Sequence, residues 1–553
     1  MNTLLTLHNP SAASAYYATD VWQQDTMYMR LAHHAETRPD AFALRDSRRR
    51  LTWSELRRRV DAVALSLDAK GLRQGDRVCV WLPNRVEATI VFLACSRNGY
   101  VCNPSLHQNY TVAEVVTLME RLSAVALFAQ LGYGADAKAE NIFQRAKAVE
   151  SLRHVFVLDA AATDGAHPFP EPNANVTPPP TVQDPDKIVY LAFTSGTTGR
   201  PKGVMHSDNT LLANGRAMVR DWHHDANTIL YSFSPLSHHI ATVGLEQMLV
   251  AGCEMVVNDP PAGKRPIDWI IASGATYVMG VPTHAIDIIA EIRSRGLQQL
   301  GAVKVFYMAG STIPPATARS FLDLGIKPQN IYGMTENGSH QYTLPTDDEV
   351  TITSTCGKAC HGYEVKIWHA ENHDIEVGPG EIGEIGGRGG VLTLGYFDHQ
   401  AATEQSFNRQ GWFMSGDLGR FDANGNLEIV GRKKDMIIRG GRNIYPSQIE
   451  DHAKKHADIR VSAAIGVADE RLGERVCLAI ITASGAPLTG EAVLAHLAAS
   501  GLSKYDMPEY YIQMDAFPLT ASGKVLKREL IEWVKTGRIQ PARVRWAPAK
   551  DAT

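Results

Sequence analysis

The segment with the highest density of groups that could bind phosphate runs from Thr194 to Gly203. It has the sequence TSGTTGRPKG and follows an apolar run typical of a strand. Glycines let successive backbone N–H groups turn towards one concavity, the hydroxyls add donors, and Lys202 adds a positive charge. The segment is not a Walker loop, because no Gly-Lys-Ser/Thr follows the spacer and Pro201 disfavours an immediate helix. These residue types and their spacing predict a phosphate-binding loop.

Five segments, taken in order, resemble the motifs of the adenylate-forming superfamily. Its members include acyl-CoA synthetases, the adenylation domains of peptide synthetases and beetle luciferases. Besides the loop, the segments are IYGMTE at 331–336, GWFMSGD at 411–417, GRKKDMIIRGGRN at 431–443 and PLTASGK at 518–524. The resemblance implies that a carboxylic acid and ATP form an acyl-adenylate with release of pyrophosphate. In most members a second step passes the acyl group to a thiol.

The resemblance also implies a role for each group at the phosphates. A carboxylate is already a nucleophile, so the first step depends on positioning and on cationic stabilisation rather than on a general base. By the match, Lys524 contacts the reacting carboxylate and the α-phosphate, Thr335 contacts phosphate, and Glu336 holds Mg²⁺. The implied ATP/AMP-binding residues are Thr194, Ser195, Gly196, Thr197, Thr198, Gly199, Lys202, Gly310, Ser311, Tyr332, Gly333, Asp417 and Arg432.

The segment PLSHH at 235–239 resembles the gate that family members place beside the acyl site. Its spacing favours His238 over the competing His239, and a histidine satisfied in the core is the alternative. Small and apolar residues in the expected pocket predict an apolar acyl group, and overall similarity extends to bacterial ligases for cyclohexanecarboxylate and related cyclic or medium-chain acids. His340 either meets a polar substituent or faces outward. The expected acyl-pocket residues are His238, Thr242, Val243, Ala309 and His340.

The 431–443 segment is similar to the family's hinge and to the face that forms the thioester. The resemblance places the pivot at Lys434, about which a mobile C-terminal domain rotates between the two half-reactions. Bare glycine backbone suits a narrow tunnel for the pantetheine arm. The flanking arginines either assist CoA phosphates or are solvated cations beside a turn. The expected CoA-binding residues are Arg439, Gly440, Gly441 and Arg442.

The elements that must position these residues alternate between strand and helix. A strand at 42–46, a helix opened by the capping-box pair Thr52 and Glu55, and a buried strand at 76–82 predict α/β layers with a largely parallel sheet. The proline-rich stretch 160–186 predicts a surface linker between two α/β lobes. The predicted fold is α/β, with layered lobes plus a small β-rich unit over 1–432, followed by a small mobile α+β C-terminal domain over 433–553 that carries the catalytic lysine.

Composition excludes several classes of protein and partner. The 553 residues are 44% hydrophobic with a formal charge of -4, so no global field gathers nucleic acid or anionic lipid. No uncharged apolar run reaches the roughly 18 residues needed to span a bilayer, and the start does not resemble a signal peptide. The seven scattered cysteines favour a reducing cytoplasm. Cys356, Cys360 and His361 supply only three ligands, whereas structural zinc usually takes four.

The sequence therefore predicts a cytoplasmic, AMP-forming carboxylic acid:CoA ligase. It would use ATP, Mg²⁺ and CoA on an alicyclic, aromatic or medium-chain acid, as a monomer or homodimer without nucleic acid. CoA is preferred because no carrier-protein motif follows the C-terminal domain. The alternatives are an acyl-AMP ligase that loads a separate carrier protein, a luciferase-like oxygenase, and a catalytically silent binding protein. The intact Lys202, Glu336, Asp417 and Lys524 argue against silence.

Overall fold

The computed structural model describes residues 4–158, 165–173, 179–194, 201–310, 313–520 and 524–546. By packing, the chain divides into two compact units, one of residues 1–364 with 387–407 and one of residues 365–386 with 408–553. The predicted α/β class, with a larger N-terminal and a smaller C-terminal part, is confirmed. The predicted boundary after residue 432 falls inside the second unit, so the boundary and the rotation about it stay predictions.

The helices of the described residues alternate with the strands along the chain. The helices are α1 (Pro10–Ala18), α2 (Met27–Thr37), α3 (Trp53–Ala69), α4 (Val86–Asn98), α5 (Val112–Leu122), α6 (Ile142–Arg145), α7 (Asp208–Trp222), α8 (His239–Ala251), α9 (Pro266–Ser273), α10 (Pro282–Ser294), α11 (Pro315–Asp323), α12 (Glu349–Ser354), α13 (Gln400–Gln405), α14 (Pro446–Ala453), α15 (Gly490–Ala499) and α16 (Lys527–Lys535). The strands are β1 (Phe42–Arg45), β2 (Arg50–Thr52), β3 (Arg77–Trp81), β4 (Val101–Asn103), β5 (Ala126–Gln130), β6 (His154–Leu158), β7 (His167–Pro168), β8 (Ile188–Thr194), β9 (Lys202–Ser207), β10 (Ile229–Ser232), β11 (Glu254–Val257), β12 (Tyr277–Gly280), β13 (Val305–Ala309), β14 (Lys327–Met334), β15 (Gly338–Tyr342), β16 (Lys358–Ala359), β17 (Tyr363–Trp368), β18 (Gly383–Gly389), β19 (Phe413–Phe421), β20 (Leu427–Arg432), β21 (Ile437–Arg439), β22 (Arg442–Ile444), β23 (Ile459–Asp469), β24 (Gly473–Thr482), β25 (Tyr510–Gln513) and β26 (Ala542–Arg543).

Two sheets form the first unit. A seven-stranded sheet has the order β7-β6-β5-β3-β4-β8-β9, and a nine-stranded sheet has the order β16-β15-β14-β13-β12-β10-β11-β1-β2. The neighbours β10, β11, β12, β13 and β14 pair in parallel, whereas β8 with β9 and β14 with β15 pair antiparallel. Strand β3 is buried along its whole length, as expected of a central strand covered on both faces.

Local signals account for the start of the fold. The hydroxyl of Thr52 accepts from the Glu55 N–H at 3.2 Å, and the Glu55 carboxylate accepts from the Thr52 N–H at 2.9 Å. This confirms the capping box that opens α3.

The interpretation of 160–186 as a linker between lobes is wrong, because β6, β7 and β8 all belong to the seven-stranded sheet. The described part of this stretch adds β7 at the sheet edge, where a proline costs no interior hydrogen bond.

The second unit combines two smaller sheets. Most of the four-stranded sheet β17-β18-β19-β20 belongs to it, in keeping with the predicted β-rich unit. The other sheet has the order β22-β21-β24-β25-β26, and β23 pairs with β24. Ile449 of α14 and Leu494 of α15 pack in one apolar cluster of this unit, whereas Leu530 of α16 packs in another. Within the described residues, no helix has both the length and the apolar character needed to span a bilayer.

Candidate active site

The two ends of the predicted phosphate loop are fixed side by side. Thr194 ends β8, Lys202 begins β9, and the two residues are paired in the antiparallel register. The predictions for Ser195, Gly196, Thr197, Thr198 and Gly199 lie outside the described residues, as does the prediction for Ser311. The pairing of β8 with β9 places Lys202 directly opposite Thr194.

One aromatic ring links two of the predicted charged groups. The Lys202 ammonium lies 4.6 Å from the centroid of the Tyr396 ring. The Tyr396 hydroxyl donates to Oε1 of Glu336 at 3.0 Å. Tyr396 and Glu336 are both buried. The structure therefore brings Lys202 and Glu336, far apart in the sequence, into contact with one phenol, Lys202 at its ring and Glu336 at its hydroxyl.

The backbone of the Thr335–Glu336 segment is held from two directions. On one side, the His206 Nε2 donates to the Thr335 carbonyl at 2.7 Å. On the other side, the Thr393 N–H donates to the Glu336 carbonyl at 2.6 Å, and the Thr393 hydroxyl donates to the Met205 carbonyl at 2.8 Å. Strand β9 and residue 393 thereby fix the position of the two predicted catalytic residues.

Burial keeps the His206 imidazole neutral. It lowers the pKa of His206 to about 4, although the hydrogen bond to the Thr335 carbonyl opposes the shift. Because a carbonyl oxygen only accepts, the proton of the neutral ring resides on Nε2. Nδ1 then faces the Thr210 hydroxyl at 3.0 Å. His206 is thus a fixed backbone anchor rather than a titrating group at neutral pH.

Sequence reasoning missed His206, Thr393 and Tyr396. For His206 a signal existed, since it is four residues after Lys202 on one strand and so lies on the same face. No comparable signal points to Thr393 and Tyr396, because they approach β9 only through the tertiary fold. Tyr396 joins β9 through an isolated antiparallel bridge to Val204.

Three of the predicted ATP/AMP-binding residues, Gly310, Tyr332 and Gly333, lie at the carboxyl ends of adjacent parallel strands. Ala309 ends β13 and Gly310 follows it, whereas Tyr332 and Gly333 lie on β14, its parallel neighbour. Ligands of open α/β sheets typically bind at this edge. At Gly333 a Cβ atom would lie 1.8 Å from the Gly338 carbonyl oxygen, so only glycine fits there. Gly310 has φ +94°, a backbone conformation that also favours glycine.

Two of the predicted ATP/AMP-binding residues, Asp417 and Arg432, come together within the second unit. Asp417 on β19 and Arg432 on β20 are directly paired across the two strands. The Arg432 Nε lies 3.3 Å from Oδ1 of Asp417, which is buried. A carboxylate held in this way could accept hydrogen bonds from two vicinal hydroxyl groups.

The two candidate gate histidines have different surroundings. The His238 ring lies 4.5 Å from the ring of His107, whose Nδ1 is 3.2 Å from the Ser237 hydroxyl. The His239 ring stacks on His206 at 5.6 Å, and its Nδ1 lies 3.2 Å from the Tyr190 hydroxyl. His239 is therefore held towards the β8–β9 side. The gate role of His238 stays a prediction.

The other predicted acyl-pocket residues are buried in the first unit. Thr242 and Val243 lie on α8, and Ala309 ends β13. His340 is 1% exposed, with its ring 5.3 Å from that of Tyr332, so the outward-facing alternative is wrong. Burial lowers the pKa of His340 to about 3. The imidazole is neutral at physiological pH and suits an uncharged polar group better than an anion.

The predicted CoA arginines already have acidic partners within the second unit. Arg439 binds Glu509 with two hydrogen bonds of 2.8 and 2.9 Å. Arg442 approaches Asp506 through Nε at 2.9 Å and Nη2 at 3.3 Å. Between them, Gly440 and Gly441 have φ +57° and +82°, as the tight turn between β21 and β22 requires. A hairpin turn therefore explains the glycine pair without reference to CoA.

Two lysines of the second unit occupy turns. Lys434 lies in the short turn Lys433–Asp435, where burial and the nearby Arg432 lower its pKa. Lys524 is exposed, and its N–H donates to the Thr520 hydroxyl at 3.0 Å while its carbonyl accepts from the Thr520 N–H at 2.7 Å. Two hydrogen bonds thus hold Thr520 and Lys524 together.

The residues present fit a Mg²⁺ ion that arrives with the nucleotide. The described residues contain no group of three or more His, Cys, Asp or Glu side chains that could cage a metal. Mg²⁺ in nucleotide sites is usually held by one or two carboxylates, substrate phosphates and water. The buried carboxylate of Glu336, which shares Tyr396 as a contact with Lys202, matches that donor set.

Comparison with known proteins agrees with this geometry. The family model described as AMP-binding enzyme matches residues 31–397, and the model of its C-terminal domain matches residues 448–524. The medium-chain fatty-acid–CoA ligase of Escherichia coli is 29% identical over 526 residues, which cover 94% of this chain and 92% of that protein. An octahydroindenyl-propanoyl:CoA ligase of Mycobacterium tuberculosis is 31% identical over 508 residues, covering 89% of this chain and 96% of that protein.

A solved structure gives the same result for the fold. ATP-bound MatB from Rhodopseudomonas palustris superposes with a TM-score of 0.79 at 27% identity, and the match covers 92% of this chain and 99% of MatB. The sequence motifs, the two-unit α/β architecture and the family models therefore agree: this chain belongs to the AMP-binding enzyme family, within the adenylate-forming superfamily.

Proposed function

We propose that this AMP-forming carboxylic acid:CoA ligase acts on a mainly apolar acid of the alicyclic, aromatic or medium-chain class. The reaction class is that of the family and of its acyl-CoA ligase relatives. The observation that carries the assignment of the site is the contact of Lys202 and Glu336 with one ring, beside the predicted phosphate loop. A cation and a carboxylate set apart in this way suit a triphosphate and its metal.

In the first half-reaction, an oxygen of the acid attacks the α-phosphorus of ATP and the bond to pyrophosphate breaks. No proton needs to be removed, so the task of the protein is to hold two anions together and to stabilise the charge that develops. Lys202 neutralises phosphate, Thr335 orients it, and Lys524 bridges the acid and the α-phosphate. Asp417, oriented by Arg432, binds the ribose hydroxyls.

Glu336 is the residue that would hold Mg²⁺. When bound, the ion would neutralise phosphate charge and favour departure of pyrophosphate. The part of this chain is to keep the Glu336 carboxylate in place. The Tyr396 hydroxyl donates to the carboxylate, and the Thr393 N–H donates to the backbone carbonyl of Glu336.

In the second half-reaction, the CoA sulfur attacks the acyl carbon and the bond to AMP breaks. The thiol proton leaves and AMP departs as the free monophosphate. Movement about Lys434 would withdraw Lys524 and present the turn between β21 and β22, with Gly440 and Gly441, to the pantetheine arm. The open backbone at Gly441 supports the assignment, since a Cβ there would meet no atom within 4 Å in the described structure.

The nature of the pocket supports the class of acid. Val243 and Ala309 provide apolar walls, and the neutral His340 offers no countercharge for a second anionic group. The names of the relatives include ligases for medium-chain fatty acids, for a polycyclic propanoate and for salicylate. An acid with a compact apolar body fits both observations.

The test is a panel of aliphatic, alicyclic and aromatic acids, with AMP, pyrophosphate and acyl-CoA measured together. The expected result is acid-dependent AMP and a CoA thioester in equal amounts. Adenylate without a thioester on free CoA would favour a carrier protein as acceptor, and oxygen uptake would favour an oxygenase. ADP as product would indicate a kinase, and the absence of acid-dependent pyrophosphate exchange would refute the proposed function.

A further inference from the structure

We propose that Tyr396 is a positioning residue for adenylate formation, because its ring contacts the Lys202 ammonium and its hydroxyl orients the Glu336 carboxylate. This inference rests on the proposed function, which uses both charged groups at the ATP phosphates. Tyr396 lies outside all five motifs. Its ring and its hydroxyl would have different roles, which substitution can separate.

The Tyr396 side chain is itself firmly held. It is 7% exposed and packs with Val204 and Ala402 in one apolar cluster. Its N–H donates to the Thr403 hydroxyl at 3.0 Å, and its backbone bridges to Val204 of β9. Because the ring cannot shift without disturbing this packing, its contacts also restrain the positions of the groups that touch it.

The two contacts on Tyr396 are different in kind. The ammonium of Lys202 lies over the ring face, 4.6 Å from the centroid, where the quadrupole of the ring attracts a cation without neutralising it. The hydroxyl donates to Oε1 of Glu336 at 3.0 Å. A carboxylate has about four lone-pair sites, so one hydrogen bond from a phenol still leaves it able to bind a cation.

This arrangement solves an electrostatic problem of the site. Opposite charges that meet at a partly buried site attract each other strongly, and a direct ion pair between Lys202 and Glu336 would neutralise both groups. Tyr396 contacts both groups and so keeps the ammonium directed to phosphate and the carboxylate directed to metal. The ring positions Lys202, and the hydroxyl positions Glu336.

Replacing Tyr396 by Phe separates the two roles. The variant keeps the ring, its packing and the contact with Lys202, and it removes only the hydroxyl that reaches Glu336. We expect binding of Mg·ATP, measured by calorimetry, to weaken about tenfold, as loss of one hydrogen bond to a charged group would produce. Binding of ATP in the presence of EDTA should be unchanged, since Glu336 then has no metal to hold.

Tyr342 provides the matched control. Its hydroxyl also donates to a carboxylate, Oδ2 of Asp221 at 2.8 Å, and the residue is 1% exposed in the same unit. Tyr342→Phe should therefore lose a similar buried hydrogen bond without changing the affinity for Mg·ATP or for ATP alone. If Tyr396→Phe binds Mg·ATP as tightly as the wild type, or if both variants lose affinity equally, the inference is wrong.

A double-mutant cycle with Glu336→Gln tests whether Tyr396 acts through Glu336. In the Glu336→Gln background, Tyr396→Phe should cause no further loss of Mg·ATP affinity, and a full additional tenfold loss would contradict the inference. These outcomes are distinct from failure of the proposed function. A wild-type chain that binds no ATP would refute that function, whereas a wild-type chain that binds Mg·ATP no better than Tyr396→Phe refutes only the role of Tyr396.

Discussion

The Nε2 of His206 lies 2.7 Å from the carbonyl oxygen of Thr335, and this contact joins the strand after the phosphate loop to the predicted catalytic segment. Lys202 begins the strand that carries His206. A displacement of either element would therefore move both the cation and the Thr335–Glu336 segment. His206 acts through the backbone, which explains how a neutral imidazole can matter for phosphate chemistry without contacting phosphate.

His206→Ala should slow adenylate formation. The Thr335 carbonyl would lose its donor, and a buried unsatisfied group costs about 1–3 kcal/mol. We expect kcat/KM for acid-dependent pyrophosphate exchange to fall about 10- to 100-fold, the same free energy expressed as a rate. His206→Gln, whose amide can donate to the same carbonyl, should recover part of the loss.

The control is His224, a half-buried histidine of the first unit, whose ring lies 4.3 Å from that of Tyr277. Burial lowers its pKa to about 4, as it does for His206. His224→Ala should lower the melting temperature with little change in kcat/KM. Equal kinetic losses in the two alanine variants would mean that His206 serves general stability alone.

Lys524→Ala should impair only one half-reaction. The proposed mechanism uses the ammonium to bring acid and α-phosphate together, and loss of one such group costs about 10²–10³ in kcat. Acid-dependent pyrophosphate exchange measures that step. Conversion of a supplied acyl-adenylate to acyl-CoA should stay close to the wild-type rate, because Lys524 is expected to leave the site between the steps. Comparable losses in both assays would contradict the rotation about Lys434.

Local signals were sufficient to predict much of the fold. The capping box of Thr52 and Glu55, the buried strand β3 and the alternation of strand and helix each depend on residues close together in sequence. The interpretation of 160–186 failed for a physical reason. Composition shows that a segment has no core of its own, but it does not show that the chain returns to the same sheet, since pairing of β4 with β8 is a long-range contact.

Some residues of the candidate site could also be predicted from the sequence, and others could not. Motif residues such as Lys202 and Glu336 can be found from the sequence because each motif is contiguous. Their supports cannot, since Tyr396 and Thr393 reach them only after the strand β9 and residues 393–396 have come together in the fold. Burial is also a tertiary property, so the sequence left open whether His340 faces outward, whereas the structure places it in the core.

The arginines beside the β21–β22 turn pose a choice between CoA binding and local stability. If they assist CoA phosphates, the double variant Arg439→Ala and Arg442→Ala should raise KM for CoA about tenfold or more, the scale of one charge-assisted contact. KM for ATP should not change. An unchanged KM for CoA would mean that the arginines only form local ion pairs and do not assist CoA binding.

The double variant Glu509→Gln and Asp506→Asn separates these roles, because it disrupts the same ion pairs and keeps the arginines. The pairs are partly exposed and screened by solvent, so each should contribute little to stability. If the arginines serve CoA, this variant should bind CoA as well as the wild type or better. If KM for CoA rises equally in both double variants, the cause is distortion of the turn.

His34 predicts a specific loss of stability in acid. Its Nε2 donates to the Leu249 carbonyl at 2.8 Å, and its Nδ1 has no hydrogen-bond partner among the described residues. Burial lowers the pKa of His34 to about 4, and the neighbouring Arg38 and Arg30 lower it further against the effect of the Leu249 hydrogen bond. Protonation of Nδ1 in the folded chain would therefore bury a cation close to two others.

Because the folded pKa lies below the ordinary value of 6.5, the unfolded chain binds the proton first. The contribution of neutral His34 is complete above pH 6.5 and is lost as the pH falls towards 4. Between pH 7.5 and 5 the loss should be about 2 kcal/mol. The variant His34→Gln can still donate to Leu249 but cannot titrate. Its free energy of unfolding, measured with urea, should therefore fall by about 2 kcal/mol less than that of the wild type over the same pH interval. The other histidines titrate in both chains and cancel in the difference, so parallel pH profiles would show that His34 is protonated as readily in the folded chain as in the unfolded one.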